Sequence, residues 1–169
     1  MPAEADERDD FIRAQGLPFM AHLLRRISDH MVNEAGAWED ATFGIKAPPR
    51  TASTMLLLDQ DGAQSVTQLA ERLRQSHQLM VTWLKQLEAL KFVKSAPDPD
   101  DARRSLAVLT PAGRAEARRM REASAMIGRA YSKLLREAHA DPHMLEALWR
   151  VHDLLQRGRL ADLLRMERR

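Results

Sequence analysis

One stretch constrains this chain more than any other: Ser65-Val66-Thr67-Gln68, followed by Leu69, Ala70 and Leu73. A Ser four positions ahead of an inward-facing Leu, with Gln three residues after the Ser, is a capping box. The serine side chain accepts from the backbone of the first turn and the glutamine reaches back to the serine N–H. The helix it starts is short, because Arg74-Gln75 breaks the apolar period. Ser76 then caps a second helix whose inward positions are Met80, Trp83, Leu84, Leu87 and Leu90. Two short helices joined by a tight turn form a helix-turn-helix.

Beyond Lys91 the period changes from helical to alternating. Phe92 to Ala96 reads as a strand, Pro97 to Ala102 as a polar turn, and Arg104 to Leu109 as the returning strand. A β-hairpin directly after a helix-turn-helix is a wing. Thr110-Pro111 starts a further helix that runs to about Ala138, and Asp141-Pro142 starts a final one, with an interruption at Gly158. Ahead of the pair, Met20, Leu23, Leu24, Ile27 and Met31 mark an amphipathic helix to about Ala35, and residues 36–50 read as irregular. A short apolar helix spans Thr51 to Asp59. Residues 1–16 read as a flexible acidic arm.

Composition excludes several classes. With no cysteine in 169 residues there is no disulfide, iron–sulfur cluster or thiol switch, which fits a cytoplasmic protein. No apolar run reaches the roughly 18 residues of a membrane span, so no membrane partner is expected. Aromatics make up 5% of the chain, which favours helix over a β-sandwich. Net charge is only +2, yet residues 1–40 carry nine acids against four bases and residues 101–137 nine bases against four acids. That asymmetry raises the expectation of a polyanionic partner, against the plainer reading of a solvated helix face. No P-loop, GxSxG, HExxH or GxGxxG occurs, so an enzyme is not expected, nor a cofactor. His139 and His143 have metal-ligand spacing, but Pro142 stands between them and no metal site is expected.

The stretch Ser65 to Leu73, then Leu87-Glu88 with Phe92-Val93, then Asp98-Pro99-Asp100-Asp101-Ala102-Arg103 followed by Thr110-Pro111-Ala112-Gly113, resembles the MarR family of winged helix-turn-helix regulators. The likeness spans about residues 48–118. It implies a mainly α fold: a winged helix-turn-helix with a two-stranded β-wing, flanked by N- and C-terminal dimerisation helices. On that reading residues 17–47 hold the N-terminal dimerisation helix and loop, 48–113 the DNA-binding domain, and 114–169 the C-terminal dimerisation helices. The second helix would enter the major groove of double-stranded DNA. With its apolar side inward, His77, Gln78, Val81, Thr82 and Lys85 face out. Gln78 suits adenine, Val81 and the Thr82 methyl suit a thymine methyl, and His77 and Lys85 suit guanine or phosphate. Ser65, Thr67 and Ser76 lie at helix N-termini that favour phosphate, although capping alone also accounts for Ser65. Arg103 and Arg104 sit at the wing, and the resemblance makes Asp101 the residue that orients Arg103.

The chain departs from the family pattern at five positions. Lys91 stands where glycine is usual, and a left-handed residue there costs about 1 kcal/mol. Leu79, Val81 and Thr82 stand where small hydroxyl and arginine residues are common, and Ala102 replaces a frequent wing arginine. The resemblance also implies a site for a small hydrophobic or aromatic effector, for which Met20, His30, Trp38, Phe43 and Met55 are the candidate lining residues. The expectation is thus a homodimeric, sequence-specific repressor released from a pseudo-palindromic operator by a small molecule. The rival is a winged-helix protein-interaction module or antirepressor that has lost specific DNA binding, motivated by Val81, Thr82, Lys91 and Ala102.

Overall fold

In the computed structural model the described residues are 10–101 and 104–167. They form two compact units, the first ending at Ile127 and the second beginning at Gly128.

In the first unit, Asp10 caps a short helix α1 (Phe11–Gln15), its carboxylate accepting from the amides of Ile12 and Arg13. Part of the expected N-terminal arm is therefore helical. A 3₁₀ turn (Leu17–Phe19) leads into α2 (Met20–Phe43). This helix does not stop near Ala35 as the apolar period suggests. It runs through Gly36 and ends at Gly44, a left-handed C-cap whose N–H returns to the carbonyls of Asp40 and Glu39. Gly36 is kept for a packing reason: a Cβ there would lie 2.5 Å from the ring of Pro49. A second 3₁₀ turn (Pro49–Thr51) then opens α3 (Ala52–Asp61).

The helix-turn-helix follows. The capping box is formed on both sides: Gln68 N–H donates to Ser65 Oγ at 3.2 Å, and Ser65 N–H to Gln68 Oε1 at 2.8 Å. It starts α4 (Val66–Leu73), which ends on Arg74 in the left-handed region. Ser76 caps α5 (His77–Ala89) through the Leu79 amide. Wing strands β2 (Val93–Pro97) and β3 (Ser105–Leu109) pair antiparallel, Val93 opposite Leu109. A strand the sequence pattern does not reveal, β1 (Gln64–Ser65), adds to the other edge of β3 with Ser65 opposite Leu106, so the sheet has three strands in the order β1-β3-β2. Two residues carry too little alternation to register as a strand.

Thr110 ties the wing to α6 (Pro111–Glu137). Its hydroxyl donates to Lys91 O and accepts from Gly113 N–H, and its own N–H donates to Phe92 O. Gly113 allows this approach, since a Cβ there would fall 2.0 Å from the Phe92 carbonyl oxygen. Met55, Leu69, Met80, Leu87 and Met120 are fully buried, so α3 to α6 share one core. Glu116 is buried beside that core. One carboxylate oxygen accepts from the amides of Lys46 and Ala47 (2.6 and 2.9 Å), and the other pairs with Arg119.

The second unit contains the end of α6, then α7 (Met144–Gln156) and α8 (Arg159–Glu167). Neither α7 nor α8 buries a residue: Leu145, Trp149, Leu160 and Leu164 are all more than half exposed. No helix among the described residues is long and apolar enough to cross a membrane.

Candidate nucleic-acid interface

Helix α5 presents two faces. Inward, Met80, Leu84 and Leu87 are buried, Met80 with its sulfur 3.7 Å from the Thr54 hydroxyl. Outward, Ser76, His77, Gln78, Thr82 and Lys85 are exposed, and Val81 is half-buried. The expected outward set is therefore together on one face. Thr82 donates its hydroxyl to Gln78 O at 3.0 Å, which leaves its methyl as the group available to a ligand. Leu79 is exposed near the start of the helix and adds an apolar side chain to this face.

Thr67 is exposed at the start of α4, but Ser65 is buried. With its hydroxyl accepting from Gln68 and its backbone in β1, Ser65 is a cap and strand residue, and the phosphate role expected of it gives way to that plainer account.

At the wing tip Asp98 is the organising carboxylate. It accepts from the Asp100 amide at 3.0 Å and lies 3.8 Å from the Arg104 guanidinium, while Asp98 and Arg104 also pair through their backbones. Asp101 takes the Arg104 N–H on its carbonyl at 2.8 Å. Arg103 and Ala102 lie outside the described residues, and the expected Asp101–Arg103 pairing lies there with them. The segment that carries Asp98 was legible as a polar turn, but the aspartate's ionic partner was not.

Much of the basic run 101–137 is engaged inside the first unit. Arg104 faces Asp98, Arg114 donates to Leu109 O, Arg119 pairs with Glu116 and Arg121 with Asp59. Three of the nine bases pair with carboxylates among the described residues, two of them with acids outside the run, so the charge asymmetry is only partly offset.

The five residues expected to line an effector site do not converge. Met20 and Phe43 stand at opposite ends of a 24-residue helix, about 35 Å apart at 1.5 Å per residue. His30 is exposed along the same helix and Met55 is sealed in the core. Only Trp38 and Phe43 touch, edge to face at 5.4 Å, packed against that core. With a helix expected to end near Ala35, the sequence does not show that Met20, His30, Trp38 and Phe43 share one continuous helix. A different cleft, of about 530 Å³, lies between the C-terminal half of α2, the segment 45–50 and α5, with Glu39, Ile45, Pro49, Trp83 and Gln86 among its walls.

Comparison with known proteins agrees with this geometry. The MarR family model matches residues 48–104. A probable transcriptional regulator from Pseudomonas aeruginosa superposes with a TM-score of 0.56 at 26% identity, over 85% of this chain and 96% of that one. BpsR of Bordetella bronchiseptica, described for regulation of its DNA binding by 6-hydroxynicotinic acid, gives 0.51 at 26%, over 72% and 94%. The regulator BldR of Sulfolobus solfataricus gives 0.58 at 18%, over 82% and 93%, a likeness of fold alone. No curated protein matches by sequence. The matched segment takes in α3, both helices of the helix-turn-helix and β2, so this part of the chain is similar to the MarR family.

Proposed function

We propose that this protein is a homodimeric DNA-binding transcriptional regulator, a repressor that a small molecule releases from its operator. The observation that carries the reading is the outward face of α5, which gathers His77, Gln78, Thr82 and Lys85 at the start of a Ser76-capped helix beside the wing. A helix of that size fits the major groove. Gln78 pairs with adenine, Val81 and the Thr82 methyl pack on thymine methyls, and His77 and Lys85 take guanine or phosphate. Thr67, Ser76, Arg103 and Arg104 fix the register on the backbone. Regulation of DNA binding by a small molecule in BpsR supports the ligand step. A ligand that binds better to a form with wrongly spaced recognition helices lowers operator affinity by that difference.

Dimerisation is supported by exposed apolar side chains in both units, considered separately. In α2 these are Met20, Leu23, Leu24 and Ile27, and in α7 and α8 they include Leu148, Leu154 and Leu163. Contiguous apolar surface of this kind marks an interface.

The test is a fluorescence-anisotropy titration with duplex from upstream of the protein's own gene and an unrelated duplex, at two salt concentrations. The expected result is binding to the first duplex at least tenfold tighter, falling steeply with salt, and weakened by Gln78→Ala. Equal, weak binding to both duplexes overturns the reading in favour of an interaction module.

A further inference from the structure

The cleft beside α5 contains a charge with no counterpart. Four ionisable residues line it: Glu39, Asp40, Lys46 and Arg50. Asp40 and Lys46 pair with each other, and Arg50 pairs with Asp29 at 3.1 Å. Glu39 is left. It is more than nine-tenths buried, and no hydrogen bond or ion pair to its carboxylate occurs among the described residues. Burial alone pushes its pKa up, with no donor or cation offsetting the cost. The Glu39 carboxylate lines the cleft with its oxygens still open to solvent, so an arriving cation can pair with it directly. Trp83, half-buried in α5, supplies an aromatic wall of the same cleft. An indole and a carboxylate together suit an ammonium group carried on an apolar body. The volume of about 530 Å³ falls in the range of small-molecule sites.

We propose that this cleft binds a small organic amine, its ammonium against Glu39 and its apolar body against Trp83 and Ile45. Because Trp83 and Gln86 belong to the recognition helix, the occupant contacts the element that would read DNA. That its binding alters DNA affinity rests on the regulator reading, while the site itself does not.

The experiment is calorimetric titration of the full chain, without DNA, with benzylamine and tryptamine, against benzyl alcohol and benzoate. The amines are expected to bind roughly tenfold tighter than the neutral and anionic analogues. Glu39→Gln should remove that preference, and Asp40→Asn should leave it in place. Gln86→Glu, which adds an acid to the wall, should tighten amine binding and serves if Glu39→Gln fails to fold. No amine binding at roughly 10 mM, equal binding of benzoate, or an unchanged preference in Glu39→Gln overturns the proposal. Operator binding measured without amine separates the two readings. DNA binding without amine binding removes only this inference. Amine binding without DNA binding removes only the regulator.

Discussion

Lys91 shows how a single backbone angle carries information. It joins α5 to the wing at φ +60°, a region where L-residues pay a steric cost and glycine pays none. Lys91→Gly is expected to stabilise the fold by about 1 kcal/mol, read as a shift in the urea midpoint, whereas Lys91→Ala should change it little. Glu39 makes the opposite kind of statement, through charge. Its pKa is raised in the fold, so the native state holds its proton at pH values where the unfolded chain has lost it. The linkage sign then runs against neutral pH. The penalty is absent below the unfolded value, grows as pH rises, and is complete above the folded value. Glu39→Gln is expected to raise Tm at pH 7 and to leave it unchanged at acid pH. A lower Tm at pH 7 would show that the carboxylate has a partner the fold depends on.

Among the elements, the helix-turn-helix and wing were the most legible. Their signals are local: a capping box, a second serine cap, a switch from helical to alternating period, and a Thr-Pro start. The end of α2 was misplaced because Gly36 reads as a breaker on its own, and only the Pro49 ring beside it explains why a glycine sits mid-helix. The strand β1 was missed because two residues have no period. Another contact beyond sequence reasoning joins α6 to the segment 45–50. Glu116 looks like one more surface acid in an Arg- and Ala-rich helix, yet it is buried and holds the Lys46 and Ala47 amides. Glu116→Ala is expected to cost about 3 kcal/mol, because two amides and Arg119 lose their acceptor. Glu116→Gln, which keeps one carbonyl oxygen for the amides, should cost less. Equal loss in both variants would mean that charge rather than amide capping is what matters.

At the scale of the whole molecule the two units differ in how they bury their apolar residues. The first has a core of its own, whereas α7 and α8 bury nothing and leave Leu145, Trp149, Leu160 and Leu164 mostly in solvent. Helices of this composition are not stable alone in water, since most helical stability comes from packing an apolar face. Sedimentation equilibrium is therefore expected to give twice the chain mass of 19.2 kDa, and Leu148→Asp with Leu155→Asp to give a monomer of lower Tm. A wild-type monomer would overturn the dimer.

By itself the sequence determined the parts whose information is local in the chain: where the helices of the winged unit begin, where the wing turns, and which side of α5 faces out. Caps, turns and periodicity act over a few residues, so they can be read without the fold. Tertiary structure alone decided the rest. It buried Glu116 and Glu39, committed Arg104, Arg114, Arg119 and Arg121 to partners within the first unit, scattered Met20, His30 and Met55 away from a common site, and opened a cleft at Trp83 instead. Burial and charge pairing depend on residues distant in sequence, such as Glu116 and Ala47. A one-dimensional pattern cannot distinguish an acid that faces water from one that faces two backbone amides.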